Sequence, residues 1–131
     1  MLVSPVIARR LNHNRQYRLV VSYILVFGGL SVRVPSGFCF DGASIPRVLW
    51  RLFHPMQPRF LAAALVHDWL YKIKGAHDWG HEMTRKEVDL LFYHMLRTDG
   101  VSLVKAQAMY RGVRAGGWLS FRKKSAEFTE V

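Results

Sequence analysis

The chain has 131 residues, of which 50% are hydrophobic, 13% aromatic and 21% charged. These values predict one compact domain with a buried core and exclude a disordered or fibrous protein. Lys and Arg number 19 against 9 Asp and Glu, so the formal net charge is +10. That charge favours an anionic partner: nucleic acid, an acidic membrane surface or an acidic assembly neighbour. Cys39 is the single cysteine, which excludes an intramolecular disulfide and dependence on an oxidising compartment.

The longest apolar run extends from Leu19 to Leu30. It is too short to cross a bilayer as a helix, which takes about 20 residues. Arginines precede the run, as in a signal peptide, but residues 31–35 offer no small-residue cleavage site. We therefore interpret the run as a strand and expect a soluble protein, made in the cytoplasm, with no transmembrane segment.

The hydrophobic patterns predict an α+β fold in which an N-terminal antiparallel β-hairpin packs on a body of three main helices. β-branched and aromatic residues at 17–27, then Gly28-Gly29 and the alternating segment 30–34, predict the hairpin and its tight turn. A loop follows over residues 36–46, and Pro46 begins a short helix that extends through Phe53.

Three longer helices complete the predicted fold. The first extends from about residue 58 to 74 and stops at Gly75; the second begins at a Thr84 capping box and ends near 98; the third begins at Ser102 and ends at Gly116. We predict a single domain over residues 1–131. It consists of an N-terminal arm (1–16), the hairpin (17–35), the loop and helical body (36–118) and a flexible basic tail (119–131).

The first long helix contains an unusual pair of polar residues. From Phe60 to Tyr71 every residue is apolar or aromatic except His67 and Asp68. A helix that is apolar nearly all round is buried, so an imidazole and a carboxylate inside it need partners or a metal. Successive helical residues point about 100° apart, and so His67 and Asp68 face different neighbours. The Tyr71 hydroxyl lies over both of them, because it follows at helical spacing.

Asp89 is the predicted partner of His67, because it lies at the edge of the apolar stripe of the next helix. If the two helices pack antiparallel about 8–10 Å apart, the Asp89 carboxylate reaches one ring nitrogen and leaves the other as an acceptor, as a general base requires. Asp68 then suits a hard cation, with loop carbonyls and Asp41 completing the shell. A structural clamp between two helices explains the same His–Asp pair.

The loop from Gly37 to Pro46 is expected to fold over the N-terminal half of the first long helix. This placement brings Asp41 close to His67, because a charge between Phe40 and the start of the short helix is poorly placed without a partner. Cys39 is interpreted as a small buried hydrophobic residue.

Two short strings in the sequence, HDWLY at 67–71 and VDLLF at 88–92, resemble the HDxxY and ADxxF pair of the phospholipase A2 superfamily. The likeness is to the short viral form found in parvovirus capsid proteins. It implies that His67 activates a water, that Asp89 orients His67 and that Tyr71 supports this network. It also implies calcium as a cofactor bound by Asp68.

The calcium loop departs from the superfamily. Secreted phospholipases hold this loop with several glycines and disulfides, whereas the present loop has only Gly37 and Gly42. Backbone freedom is therefore limited, and we expect weak calcium binding through Asp68 and Asp41.

A second resemblance covers roughly Ser31 to Trp118. The strings VPSGF at 34–38, DGASIPR at 41–47, HDWLY at 67–71 and YRGVR at 110–114 are similar to a phage and prophage family classed as a domain of unknown function.

The remaining histidines and basic residues are not predicted to form a functional site. His77 and His81 are four residues apart, but Gly75 and Gly80 interrupt the segment, which therefore reads as a loop rather than a metal site. Two basic clusters form a solvated face: Arg9, Arg10, Arg15 and Arg18, and Lys105, Arg111, Arg114, Arg122, Lys123 and Lys124. No nucleic-acid-binding signature accompanies them, so sequence-specific nucleic-acid recognition is not expected.

These observations predict a phage-encoded, phospholipase A2-like lipid ester hydrolase that uses a His–Asp dyad and a cation. The alternative is a non-enzymatic structural or assembly protein of the virion or tail, in which the dyad is only a clamp. The expected partners are an anionic lipid surface or virion proteins. The expected location is the host cytoplasm on synthesis and the virion afterwards.

Overall fold

The computed structural model describes residues 2–3, 8–11, 16–27, 30–40, 45–50, 58–75 and 82–116. Its strands are β1 (Leu2–Val3), β2 (Ala8–Leu11), β3 (Gln16–Leu19), β4 (Tyr23–Phe27), β5 (Leu30–Val34) and β6 (Cys39–Phe40). Its helices are α1 (Arg47–Trp50), α2 (Pro58–Lys72), α3 (Arg85–Thr98) and α4 (Leu103–Gly116). The α+β prediction is confirmed. The Gly28-Gly29 turn, the His77–His81 loop and the 119–131 tail lie outside the described residues.

The strands form two antiparallel sheets rather than one hairpin. β1, β4 and β5 make one sheet, and β2, β3 and β6 make the other. The predicted strand at 17–27 is divided because Val20 and Val21 are both about half exposed, whereas successive side chains of one strand point to opposite faces. The predicted N-terminal arm contributes a strand to each sheet: Leu2 pairs with Val26, and Ala8 with Leu19.

The helix boundaries agree with the capping signals in the sequence. At the start of α3 the Glu87 backbone N–H donates to Thr84 Oγ1 (3.2 Å), and the Thr84 N–H donates to Glu87 Oε1 (3.0 Å), which is a capping box. At the end of α2 Gly75 has a φ of +80°. A side chain there would overlap the Met83 carbonyl, so glycine is required for both reasons.

The core is one apolar cluster shared by the sheets and the helices. α2 is buried nearly all round: residues 63–68, Leu70 and Tyr71 are all buried, as an apolar helix with only two polar residues predicts. α1 packs on α4, where Leu49 occupies the space that a side chain at Gly112 would fill.

α2 and α3 pack against each other in antiparallel directions. The end of α2 lies beside the start of α3, since the Met83 N–H donates to the Gly75 carbonyl (2.9 Å). The start of α2 lies beside the end of α3, since Arg59 and Gly100 border one cavity. No helix in the described part of the chain has the length and apolar character needed to cross a membrane.

Candidate functional site

His67 and Asp89 are hydrogen-bonded in the interior between α2 and α3. His67 Nε2 lies 2.8 Å from Asp89 Oδ1, and the two residues are 1% and 0% exposed. An ionised carboxylate can only accept a hydrogen bond, so Nε2 carries the proton and donates it. In the neutral imidazole the lone pair is then on Nδ1. The hydrogen bond predicted from the apolar seams of the two helices is therefore present.

Aromatic rings fix the orientation of the His67 imidazole. Its centroid lies 4.1 Å from the ring of Tyr71, one turn along α2, and 4.7 Å from the ring of Phe92 on α3. Because both rings are buried, the imidazole cannot rotate without displacing core side chains. The tautomer and the direction of the ring are thus set by packing and by Asp89 together.

Asp89 receives donors on both of its carboxylate oxygens. Oδ1 accepts from His67 and from the Tyr71 hydroxyl (2.5 Å). Oδ2 accepts from Arg114 Nη1 at 3.0 Å, and Arg85 Nη1 lies 3.5 Å away, one turn before Asp89 on α3. A buried carboxylate with two arginines and two further donors is electrostatically compensated, which an isolated buried charge is not.

Arg85 also connects this carboxylate to the end of α4. Its Nη1 donates to the Val113 carbonyl and its Nη2 to the Arg114 carbonyl, both at 3.1 Å. The last turn of a helix has carbonyls without intrahelical partners, and the Arg85 guanidinium satisfies two of them. Arg85 therefore holds the backbone of the residue whose side chain binds Asp89.

Arg85 and Arg114 were not predicted as site residues. Arg114 was interpreted as part of a solvated basic face, and this is wrong: its guanidinium pairs with the buried Asp89. One signal was available, because Arg114 follows Val113 on the buried stripe of α4, so its side chain starts at the edge of the core.

The network shifts the acidity of two of its members. Burial alone raises the pKa of the Asp89 carboxyl, but the hydrogen bond and charge of His67, with the hydrogen bonds from Tyr71 and Arg114, outweigh burial and lower it. The pKa of the Tyr71 hydroxyl is raised, first by burial and then by its hydrogen bond to the Asp89 carboxylate. Asp89 is therefore held ionised and Tyr71 is held protonated.

Asp68 is largely buried, at 9% exposed, one residue after His67. Asp41 lies outside the described residues, so its predicted approach to His67 stays a prediction. Of the loop that contains it, Phe38 contacts Trp69 in the C-terminal half of α2, with ring centroids 5.2 Å apart. Phe38 therefore lies beside the C-terminal half of α2, whereas the sequence predicted that the loop covers the N-terminal half. Cys39 is exposed, and its interpretation as a buried residue was wrong because it lies on the outer face of β6.

The described residues do not complete a calcium site. No group of three His, Cys, Asp or Glu side chains within them is placed to hold a metal ion, whereas calcium takes about 6–8 oxygen ligands. The carbonyl of Phe38 accepts the Leu19 N–H at 2.9 Å, so this part of the loop is engaged in the sheet.

Comparisons with known proteins place the chain in one family. A protein family of unknown function (DUF1353) matches residues 20–113, which include β4, β5, α2, α3 and His67, Asp89 and Arg85. An uncharacterized protein, y4jT, of Sinorhizobium fredii strain NGR234 is 37% identical over 92 residues. That alignment covers 68% of this chain and 25% of the relative, so the chain spans about a quarter of the relative's length. No solved structure matches the chain. The chain belongs to the DUF1353 family of unknown function.

Proposed function

We propose that this protein is a phospholipase A2-like lipid ester hydrolase in which His67 is the general base. The observation that supports this most strongly is the orientation of His67: Nε2 donates to an ionised, fully buried Asp89, with a 2.8 Å separation. This hydrogen bond leaves the Nδ1 lone pair as the proton acceptor, the arrangement that a general base requires.

In the proposed reaction a water attacks the carbonyl carbon of an ester while His67 Nδ1 takes one of its protons. The resulting imidazolium is stabilised by Asp89, which remains ionised because Tyr71 and Arg114 donate to it. As the tetrahedral intermediate collapses, the bond to the leaving alcohol breaks and His67 returns the proton to the alcohol oxygen. Arg85 and Tyr71 act through Asp89 and are positioning residues.

Calcium is a separate part of the proposal. When bound, it would supply positive charge near the ester carbonyl, and Asp68 and Asp41 are the residues proposed to hold it. Because the described residues alone do not complete its shell, no step above depends on it. Calorimetric titration of the wild type and of Asp68→Asn with calcium tests this part. We expect weak binding that Asp68→Asn removes, and equal behaviour of both proteins would contradict it.

The activity test is fatty-acid release from phospholipid vesicles with calcium present, comparing the wild type with His67→Gln and His67→Ala. The glutamine amide can still donate to Asp89 but cannot act as a base, so His67→Gln should remain folded and lose about 10²–10⁴-fold in rate. His94→Ala is the matched control, since His94 is an exposed histidine on α3, and it should retain full activity. A folded wild type that releases no fatty acid would contradict the hydrolase proposal.

A structural clamp is the second candidate, and the burial of the dyad favours it. The side chains of His67 and Asp89 have no exposed surface, and the network joins α2, α3 and α4 by hydrogen bonds and ion pairs. In this case the protein would be a structural or assembly component of a virion or tail. The phage origin, virion location and virion or lipid partners rest on the sequence resemblance and on the net charge of +10, and they stand as proposals.

The two candidates differ in what His67→Gln does. For a clamp, the variant keeps the hydrogen bond to Asp89 and retains full biological activity, for example in assembling infectious particles. For a hydrolase, the same folded variant is inactive. His67→Ala should lower stability by about 1–3 kcal/mol in both cases, because it leaves an Asp89 oxygen with one donor fewer.

A further inference from the structure

A cavity lies at the end of the α2–α3 pair opposite to the Gly75–Met83 contact. It has a volume of about 330 Å³ and is lined by Arg59, Phe60, Gly100, Val101, Ser102 and Lys105. We call it the α2–α4 cavity, because it lies between the start of α2 and the start of α4. Phe60 lies seven residues before His67 on α2, a rise of about 10 Å along the helix axis. The cavity is therefore separate from the His67–Asp89 network.

The polar side chains that line the α2–α4 cavity carry a guanidinium, an ammonium and a hydroxyl group. Arg59 and Lys105 come from different helices, and the described residues that line the cavity with them are Phe60, Gly100, Val101 and Ser102. Two cationic side chains at one concave surface give it a positive potential, which favours an anionic ligand. Ser102 Oγ accepts the backbone N–H of Lys105 (3.4 Å), so its hydroxyl proton is available to donate elsewhere.

The wall of the cavity formed by the α3–α4 turn is held in place by hydrogen bonds. The Val101 N–H donates to the Leu96 carbonyl (2.9 Å), and Arg97 Nη1 donates to the Val101 carbonyl (2.9 Å). Phe60 and Val101 are 6% and 3% exposed and give the cavity an apolar side. The apolar side of the cavity is therefore preformed, which lowers the entropy cost of binding a ligand there.

We propose that the α2–α4 cavity binds a phosphate ester, with the phosphate between Arg59, Lys105 and Ser102 and the organic part against Phe60 and Val101. A guanidinium, an ammonium and a hydroxyl match the several acceptor oxygens and the multiple negative charge of a phosphate group. The volume lies at the lower end of the range for small organic ligands, about 300–1,000 Å³, and so fits an ester better than the inorganic ion alone.

The same phosphate chemistry occurs in a soluble ester and in a phospholipid headgroup. Leu103 and Val104, at 47% and 77% exposed, lie beside Ser102 and Lys105, where they would contact the apolar part of a lipid layer. The probes are therefore glycerol 3-phosphate and inorganic phosphate, by calorimetry, and vesicles of phosphatidylglycerol or of phosphatidylcholine, by sedimentation. Binding of glycerol 3-phosphate identifies a soluble ester, and binding of phosphatidylglycerol vesicles alone identifies a lipid headgroup.

The variants Arg59→Gln, Lys105→Gln and their combination test the site on the whole chain. Lys86→Gln is the matched control, because it removes the same charge from an exposed position about 20 Å along α3 from Gly100. We expect the double variant to weaken binding of the bound probe about tenfold or more and Lys86→Gln to change it less than about twofold.

Two results would overturn the proposal: no binding of any probe by the wild type at millimolar concentration, or equal weakening by Lys86→Gln, which would show attraction by net charge alone. Circular dichroism confirms that each variant is folded. These measurements follow binding and not hydrolysis, so their failure is distinguishable from failure of the proposed hydrolase activity.

Discussion

Buried polar side chains differ in their hydrogen bonding between the helices and beside the strands. Between α2, α3 and α4, both oxygens of Asp89 accept hydrogen bonds, from His67 and Tyr71 on one and from Arg114 on the other. In β4, Tyr23 is 0% exposed and its hydroxyl has no hydrogen-bond partner in the described part of the chain. One region compensates a full charge, and the other leaves a neutral hydroxyl without a hydrogen bond to the described residues.

This difference indicates where the chain has a specific arrangement to maintain. An unpaired hydroxyl costs less free energy than an unpaired buried carboxylate, so the core beside the strands tolerates a Tyr23 hydroxyl that makes no hydrogen bond to the described residues. Asp89 could not be buried in that way, since an ionised carboxylate needs compensation from every side. The residues of three helices converge on it, and the geometry of the His67 imidazole follows from that convergence.

The largest expected effect is that of Asp89→Ala, which removes the acceptor shared by the whole network. We expect a loss of about 3–5 kcal/mol in the free energy of unfolding, because His67, Tyr71 and Arg114 lose their common partner in the interior. Urea denaturation measures this, with Lys86→Ala as an exposed control on the same helix that should change stability by less than about 0.5 kcal/mol. A loss below about 1 kcal/mol would show that the network contributes little to the free energy of unfolding.

Acid should break the network in the wild type without a substitution. The pKa of Asp89 is lowered in the folded state, so the stability that its ionised form contributes is fully present above the ordinary aspartate value of about 3.9. That stability is lost as the pH falls through the lowered folded-state pKa. The free energy of unfolding, measured by denaturation from about pH 7 to about pH 2, should fall less in Asp89→Asn than in the wild type. Identical pH profiles of the two proteins would contradict the lowered pKa.

Arg114 should contribute less than Asp89, because its side chain is partly exposed. Arg114→Gln removes the charge opposite Asp89 Oδ2, and we expect a loss of about 1–3 kcal/mol. Arg114→Lys keeps the charge and should recover part of this loss. The neighbouring Arg111, which is exposed, serves as the control as Arg111→Gln. If Arg111→Gln and Arg114→Gln are equally harmful, net charge rather than the contact with Asp89 is responsible.

The smallest effects compare two buried tyrosines directly. Tyr71→Phe removes a donor to Asp89 and should cost about 1–2 kcal/mol. Tyr23→Phe removes a hydroxyl that makes no hydrogen bond to the described residues, and it should leave stability unchanged or raise it by about 1 kcal/mol. Thermal unfolding of the two variants, measured in parallel, checks the difference in sign. A destabilised Tyr23→Phe would reveal a partner for that hydroxyl.

The helical part of the fold could be predicted from the sequence because its signals are local. Helix boundaries are set by residues close to them in the sequence. The capping box at Thr84 marks the start of α3, Gly75 marks the end of α2, and the apolar stripe of α3 gives its extent. The pairing of His67 with Asp89 could also be predicted, since each is a polar residue on an apolar helix surface. The two arginines could not be predicted in the same way, because a long basic side chain can reach either solvent or a buried carboxylate from the same position.

The strands were predicted less well for a related reason. Residues 17–27 have the composition of one strand, and only the exposure of both Val20 and Val21 shows that the chain passes from one sheet to the other. Pairing of β1 with β4 and of β2 with β3 depends on which strands meet in space. β propensity describes a half-buried pleated surface and does not specify the partner strand.

The sequence by itself determined the α+β class, the three long helices and the presence of a buried His–Asp pair, because hydrophobic period, capping residues and isolated polar residues act over one or two helical turns. Tertiary structure alone decided the division into two sheets, the recruitment of Arg114 to Asp89, the contact of Arg85 with the end of α4, and the α2–α4 cavity. Each of these brings together residues that are distant in the chain: Arg114 is 25 residues from Asp89. Their contacts depend on how whole elements pack, which no local pattern encodes.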